Sequence, residues 1–323
     1  MDHAAWEPGG LLGFRDAAKT LRLRALLRLT QGTPEGAAGD VGTCLRIAEH
    51  LKGEPELIPL LLRTSLVGLV LQPVWEGLAD HRWGEAQLSE IQALLTGVDL
   101  LSSARLAWEG ERLHGIDVLR SVVEAGVGPF QLSKEAISTR DRLAASTGIV
   151  GRLYRGWIYR NLLELARFET ELTIDVFPKG GRRVLTKGGT PQSRMAAFER
   201  RHRDLALARL AMPALLAQVQ RIAHLQASVD LAGVACALER HRLARGDFPE
   251  RLEVLVPEFI RELPRDLVTG GPLVYRRTPE GAFVLYSTGW DGKDQGGVLG
   301  RSKEDPRTLD PATGDWPWFA QAQ

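Results

Sequence analysis

An excess of charge of either sign is missing. Forty-one Lys and Arg balance 40 Asp and Glu, a net of +1. That balance excludes a global field drawing the chain to nucleic acid or to an anionic membrane. The arginines are interleaved with leucine and alanine along helical patterns, as on solvated helix faces. Long hydrophobic runs are missing too. The most apolar stretch, "LVGLVLQPVW", is shorter than the roughly 20 residues that cross a bilayer. The opening "MDHAAWEPGG" lacks the basic-then-apolar order of a secretory signal. Membrane association would need an anchor that this stretch of chain does not carry. Cysteine is scarce: Cys44 and Cys236 each lie among apolar residues at helical spacing, as buried free thiols do. Spacing alone leaves a single bridge between them open, and the redox compartment with it. None of the seven histidines forms a His-x-x-x-His pair or sits beside a cysteine. His224, inside a long helical pattern, reads as a packed core residue.

What the chain does have is helical periodicity. "LLGFRDAAKTLRLRALLRLTQG" puts Leu23, Leu26 and Leu27 on one stripe, with Gly32 as a stop. Thr33 then stands as an N-cap and Pro34 as a first-turn proline. Ala37, Val41, Cys44, Leu45 and Ala48 form the apolar face of the next helix. Two helices joined by so short a turn predict an αα-hairpin, which resembles one tetratricopeptide unit. A third helix runs from Glu54-Pro55 towards Asp80, and Pro73 is expected to kink or split it. Further helices follow on either side of a break near Gly97, at 133–146 and at 151–177. The Gly- and Pro-rich basic stretch 178–192 reads as an exposed loop. Its "TKGGT" lacks the spacing and the preceding strand of a phosphate loop. Helix resumes at 194–210, and a long one runs from Pro213 to about Arg245.

After Gly246 the composition changes. Prolines 249, 257, 264 and 272 and two β-like runs, "LVYRR" and "AFVLYS", replace the helical repeat, with "RTPEG" as a hairpin turn between the runs. The expected fold class is mainly α: stacked helical hairpins with a small C-terminal α+β subdomain. Residues 1–212 form the helical body, and 213–323 form the long helix plus an antiparallel-sheet tail.

Ordered residues in that tail carry a family resemblance. Gly246, Asp247, Phe248 and Pro249 follow the long helix, and Pro264 and Asp266 come next, with Leu267 where proline is usual. Gly270, Pro272 and Tyr275 open the sheet, and Tyr286, Ser287, Gly289, Asp291 and Gly292 close it. This pattern resembles the carboxy-terminal part of type II secretion major pseudopilins, over about a fifth of the chain. The helical hairpins resemble a set of uncharacterised planctomycete-type bacterial proteins that join such a body and tail behind an amino-terminal anchor. The resemblance implies an envelope location and a pseudopilin-like tail, and no reaction. It excludes a fibre-forming pilin: Gly13-Phe14 is followed by Arg15, Asp16, Lys19, Arg22 and Arg24, which could not sit in lipid beside their copies.

In pseudopilins the loop after the last of these strands binds calcium, so the resemblance implies Ca²⁺ here. Asp291 and Asp294 would supply carboxylates, with backbone oxygens of Ser287 or Thr288 beside them. The departure is that the family's second acidic ligand follows the Gly-Gly, where this chain has "VLGRSKEDP". Asp294 or Asp305 would have to replace it. The other reading is a bare turn whose aspartates bond their own backbone.

The functional expectation is a non-enzymatic structural or interaction protein of the bacterial envelope, with a protein or peptide partner. One alternative is a soluble tetratricopeptide-like adaptor holding a peptide in a concave helical surface. The other is a hydrolase. For that last one the sequence offers only Glu164 and Glu171 on one helix face, and a Ser287 outside any nucleophile-elbow motif. Trp316 and Trp318 are expected to pack the chain end onto the body.

Overall fold

The computed structural model describes residues 8–124, 206–302, 305 and 307–318, with isolated positions between 156 and 200. The expected helix at 133–146 and most of the loop at 178–192 lie outside the described residues. The order is α1 (Pro8–Thr30), α2 (Pro34–His50), α3 (Leu57–Ala79), α4 (Glu85–Thr96), α5 (Leu100–Glu124) and α6 (Ala206–Arg245). A 3₁₀ turn (Leu252–Leu255) then precedes β1 (Val274–Arg277), β2 (Phe283–Ser287), β3 (Leu299–Arg301), β4 (Leu309–Gly314) and β5 (Trp316–Pro317). The fold is mainly α with a small C-terminal sheet.

Helices α1, α2 and α3 pack on one another. The five residues expected on the inner face of α2 are all buried. Pro34 opens that helix, but Thr33 is no side-chain cap: its hydroxyl donates to the carbonyl of Arg28. On α1 the expected stripe is corrected. Leu23 and Leu27 are 60% and 55% exposed, whereas Ala18, Ala25 and Leu29 are buried. The leucine-rich sequence offers two candidate stripes, and the small one wins. Helix α1 packs on α2, where Ala37 and Ala38 are buried, and Arg24 and Arg28 reach across to the buried carboxylate of Asp40.

The expectation that no stretch is long enough to cross a bilayer is corrected: α3 is 23 residues long and apolar enough, with a mean hydropathy of 1.7 over its best window, because the helix continues on both sides of the ten-residue apolar run. Here it packs against α1, α2, α5 and α6. Its Arg63 is fully buried and clasps three elements. Nε donates to the Ala48 carbonyl (3.0 Å), Nη1 to the Asp99 carbonyl (2.8 Å) and Ser103 Oγ (2.6 Å), and Nη2 to Glu49 (3.1 Å). Pro73 does not split α3, which runs through it as one helix. The ring removes one backbone donor, and packing on four neighbours outweighs that loss.

Helix α6 has 40 residues, a rod about 60 Å long. The sequence predicts a new start at Pro213, but the helix begins at Ala206 and passes through it. It packs on α3, α4 and α5 and also carries the 3₁₀ turn and strands β2, β4 and β5. It ends where Gly246 takes φ +92° and its N–H bonds the Arg242 carbonyl. Cys44 and Cys236 are buried and free. His224 lies against the tail, as a packing residue.

Beyond Gly246 no described residue returns to α-helix. The predicted hairpin forms: β1 and β2 pair antiparallel with Val274 opposite Tyr286, turning through Thr278–Gly281. Strand β5 adds to the far side of β2, so the sheet order is β1-β2-β5. Strands β3 and β4 make a separate two-stranded ribbon, bridged to the first sheet at Leu299 and Asp315. Strands β3, β4 and β5 carry no β-like run that the sequence pattern marks.

Candidate cation site in the C-terminal tail

Strand β2 ends at Ser287, and the pairing of Ser287 with Trp316 fixes what stands beside it. The antiparallel register places Asp315 opposite Thr288. The loop after β2 therefore faces a carboxylate 24 residues beyond Asp291 in the chain. Close approach here demands glycine: a Cβ on Gly289 (φ +69°) would lie 2.1 Å from the carbonyl oxygen of Gly314.

The aspartates divide into two kinds. Asp266 is buried and acts as a bracket. Its Oδ1 accepts from the N–H groups of Val268 (2.9 Å) and Thr269 (2.8 Å), and its Oδ2 from that of Thr288 (3.0 Å). Asp291 and Asp294 bond within their own loop. Asp291 accepts from Lys293 N–H (3.0 Å) and from the Gln295 side-chain amide (3.0 Å). Asp294 Oδ1 accepts from Gly296 N–H and the Tyr286 hydroxyl, both at 2.8 Å. These two bonds hold the Asp294 carboxyl below the usual carboxylate range. Burial, helped by Asp294, pushes the Tyr286 phenol up to about 12.

Asp315 differs from all of these. It is 0% exposed. Its Oδ2 accepts from the N–H groups of Gln295 (3.0 Å) and Gly297 (2.6 Å). Its Oδ1 is buried with no hydrogen-bond partner, and so is Oε1 of Gln295. Burial raises the Asp315 carboxyl and the charge of nearby Asp294 adds to the rise, against the pull of the Gly297, Gln295 and, more weakly, Val298 N–H groups, the last of which makes no hydrogen bond of good geometry to Oδ1. A buried acceptor without a donor costs about 1–3 kcal/mol. With the charge of Asp294 nearby, Asp315 Oδ1 is a hard oxygen of the donor chemistry that suits Ca²⁺.

The expected ligands lie on and beside this loop. Asp291 and Asp294 share the loop. Ser287 and Thr288 are held in place beside the loop, the Ser287 hydroxyl accepting from Gly289 N–H and the Thr288 N–H donating to Asp266. Asp305 instead closes its own turn, accepting from Arg307 N–H and the Thr308 hydroxyl. Among the described residues, no three His, Cys, Asp or Glu side chains stand together as a metal-ready group. Amide and backbone oxygens would therefore complete any shell. Asp315 escapes the sequence reading because it is non-local. The signal was the "DWPW" run: read as a strand with Trp316 facing inward, it carries Asp315 to the loop.

The tail is anchored by aromatic contacts. Trp316 is buried, edge-on to His224 of α6 with ring centroids 5.4 Å apart, and 6.4 Å from Trp290. Phe248 packs edge-on against Phe283 at 4.9 Å, and the Tyr275 hydroxyl donates to the Pro249 carbonyl (2.6 Å). No family model, no curated protein and no solved structure matches this chain.

Proposed function

We propose that the chain is a non-enzymatic structural or interaction protein of the bacterial envelope, with a pseudopilin-like tail steadied by Ca²⁺. The observation that carries the cation is the buried, unpartnered Oδ1 of Asp315, set against the Asp291–Asp294 loop. A small sheet of short strands has little core, and a cation binding only the folded state stabilises it. The envelope location rests on the ordered matches from Gly246 to Gly292. The interaction role is favoured by Leu23 and Leu27, which face outward from α1 one turn apart.

The residues that would hold the ion are Asp315, Asp294 and the side-chain amide oxygen of Gln295. Its chemistry would be structural, neutralising buried carboxylate charge. Thermal unfolding of calcium-loaded protein, with and without chelator, tests the reading. Chelation is expected to lower the tail's melting temperature by several degrees. An unchanged transition in protein first shown to be loaded would refute it.

A further inference from the structure

In the sheet β1-β2-β5, strand β1 is an outer strand with β2 on one side only. We propose that the outer edge of β1 binds an extended acidic segment of a partner protein, added as an antiparallel strand. This deepens the interaction role proposed above: it gives that role a surface and a class of partner.

The alternation of ladder hydrogen bonds fixes which groups that edge presents. Leu285 turns its carbonyl away from β1, accepting from Trp318 N–H at 2.8 Å, and Thr278 N–H bonds the Ala282 carbonyl across the hairpin, also at 2.8 Å. The β1 residues that exchange bonds with β2 are therefore Val274, opposite Tyr286, and Arg276, opposite Val284. Tyr275 and Arg277 point their N–H and C=O groups the other way. None of these four groups has a partner among the described residues. The side chains, by contrast, are held. The Tyr275 hydroxyl donates to the Pro249 carbonyl (2.6 Å), and Arg277 pairs with Asp247 and Glu250, both at 3.2 Å. The strand is thus fixed while its outer backbone is unpaired, which is the arrangement that accepts an added strand. The bridge between Arg265 and Pro272 stands just ahead of β1, so the open length is that of the strand itself.

Charge selects the occupant. Arg276 is exposed and makes no ion pair among the described residues, whereas its neighbour Arg277 is paired twice. A second copy of the chain fits this edge poorly. Two β1 strands side by side would crowd Arg276 and Arg277 of both copies into strands of four residues, and like charges across a strand pair are destabilising. By the same rule a carboxylate opposite Arg276 is favourable. Val274 lies on the same face as Arg276, two residues earlier in the strand. An antiparallel partner therefore carries its acid at one position and an apolar residue two positions later.

The test is an NMR titration of the ¹⁵N-labelled chain with the peptide acetyl-Thr-Glu-Thr-Val-Thr-amide. Two matched probes accompany it. One has lysine in place of glutamate, and the other is N-methylated at its first and third residues, whose N–H groups would face β1. The acidic peptide is expected to shift the Tyr275 and Arg277 amide resonances saturably and to slow their hydrogen exchange. The other two are expected to bind about tenfold more weakly. Arg276→Glu, at an exposed position, is expected to keep the fold and to reverse the preference between the glutamate and lysine peptides. Three results would overturn the proposal: no saturable binding to the unsubstituted protein, equal binding of all three probes, or a dimer in ultracentrifugation whose Tyr275 and Arg277 amides are protected without peptide. The chelator test above uses no peptide, so the calcium reading and this one fail separately.

Discussion

His224, on the long helix, meets Trp316, on the last strand, edge to face at 5.4 Å. This contact joins the helical body to the tail, and it gives their docking a pH dependence. Burial pushes the His224 imidazole down to about 4, from 6.5. The neutral ring is therefore favoured in the folded state. Its contribution is complete above pH 6.5 and is lost as the pH falls towards 4. His224 keeps some contact with solvent, which screens part of this effect and leaves about 2 kcal/mol. Near-UV circular dichroism of the tryptophans should show the tail loosening over that window. His224→Phe should flatten the profile.

Asp266 and Asp315 should respond differently to substitution. Asp266→Ala strips three backbone N–H groups of their acceptor and should cost about 3 kcal/mol with or without calcium. Asp315→Asn should lower stability only in calcium, because it removes charge from the cation corner and keeps the shape. Chemical denaturation in calcium and in chelator separates the two. Equal sensitivity to calcium in both variants would contradict the assignment of roles.

Arg63 holds α2, α3 and α5 through one buried guanidinium. Arg63→Ala leaves two carbonyls and a hydroxyl without their donor and opens a cavity. The expected loss is about 3–5 kcal/mol, measurable as a lower urea midpoint with an unchanged slope. Lysine should recover only part of it, since one ammonium cannot reach all of these acceptors in a fork.

The two thiols should report unfolding. Burial pushes Cys44 up to about 11 and Cys236 up to about 12. Neither should react with a disulfide reagent at pH 8 until the protein unfolds, and then both should. Fast labelling of the native protein would contradict their burial.

Local pattern was legible where it is self-contained. The inner face of α2, the break at Gly97, the end of α6 at Gly246 and the β1–β2 hairpin all follow from residues within a turn or two of one another. The misreadings have a common physical cause. Leu23 and Leu27 fit a helical stripe as well as Ala18, Ala25 and Leu29 do, and only contact with α2 chooses between them. Pro73 and Pro213 weaken a helix locally, but tertiary packing overrides the local cost. Strand β5 is two residues long and exists because β2 offers it an edge. Its neighbour Asp315 reaches the candidate site only through that pairing.

The most direct test of the account is calorimetric titration of metal-stripped protein with CaCl₂, run on the unsubstituted chain and on Asp315→Asn. The account predicts one saturable site per chain in the first and none in the second, with both proteins folded. Silence in the unsubstituted chain, or equal binding in both, would show that Asp315 holds no cation and that the loop is a turn bonded only to itself.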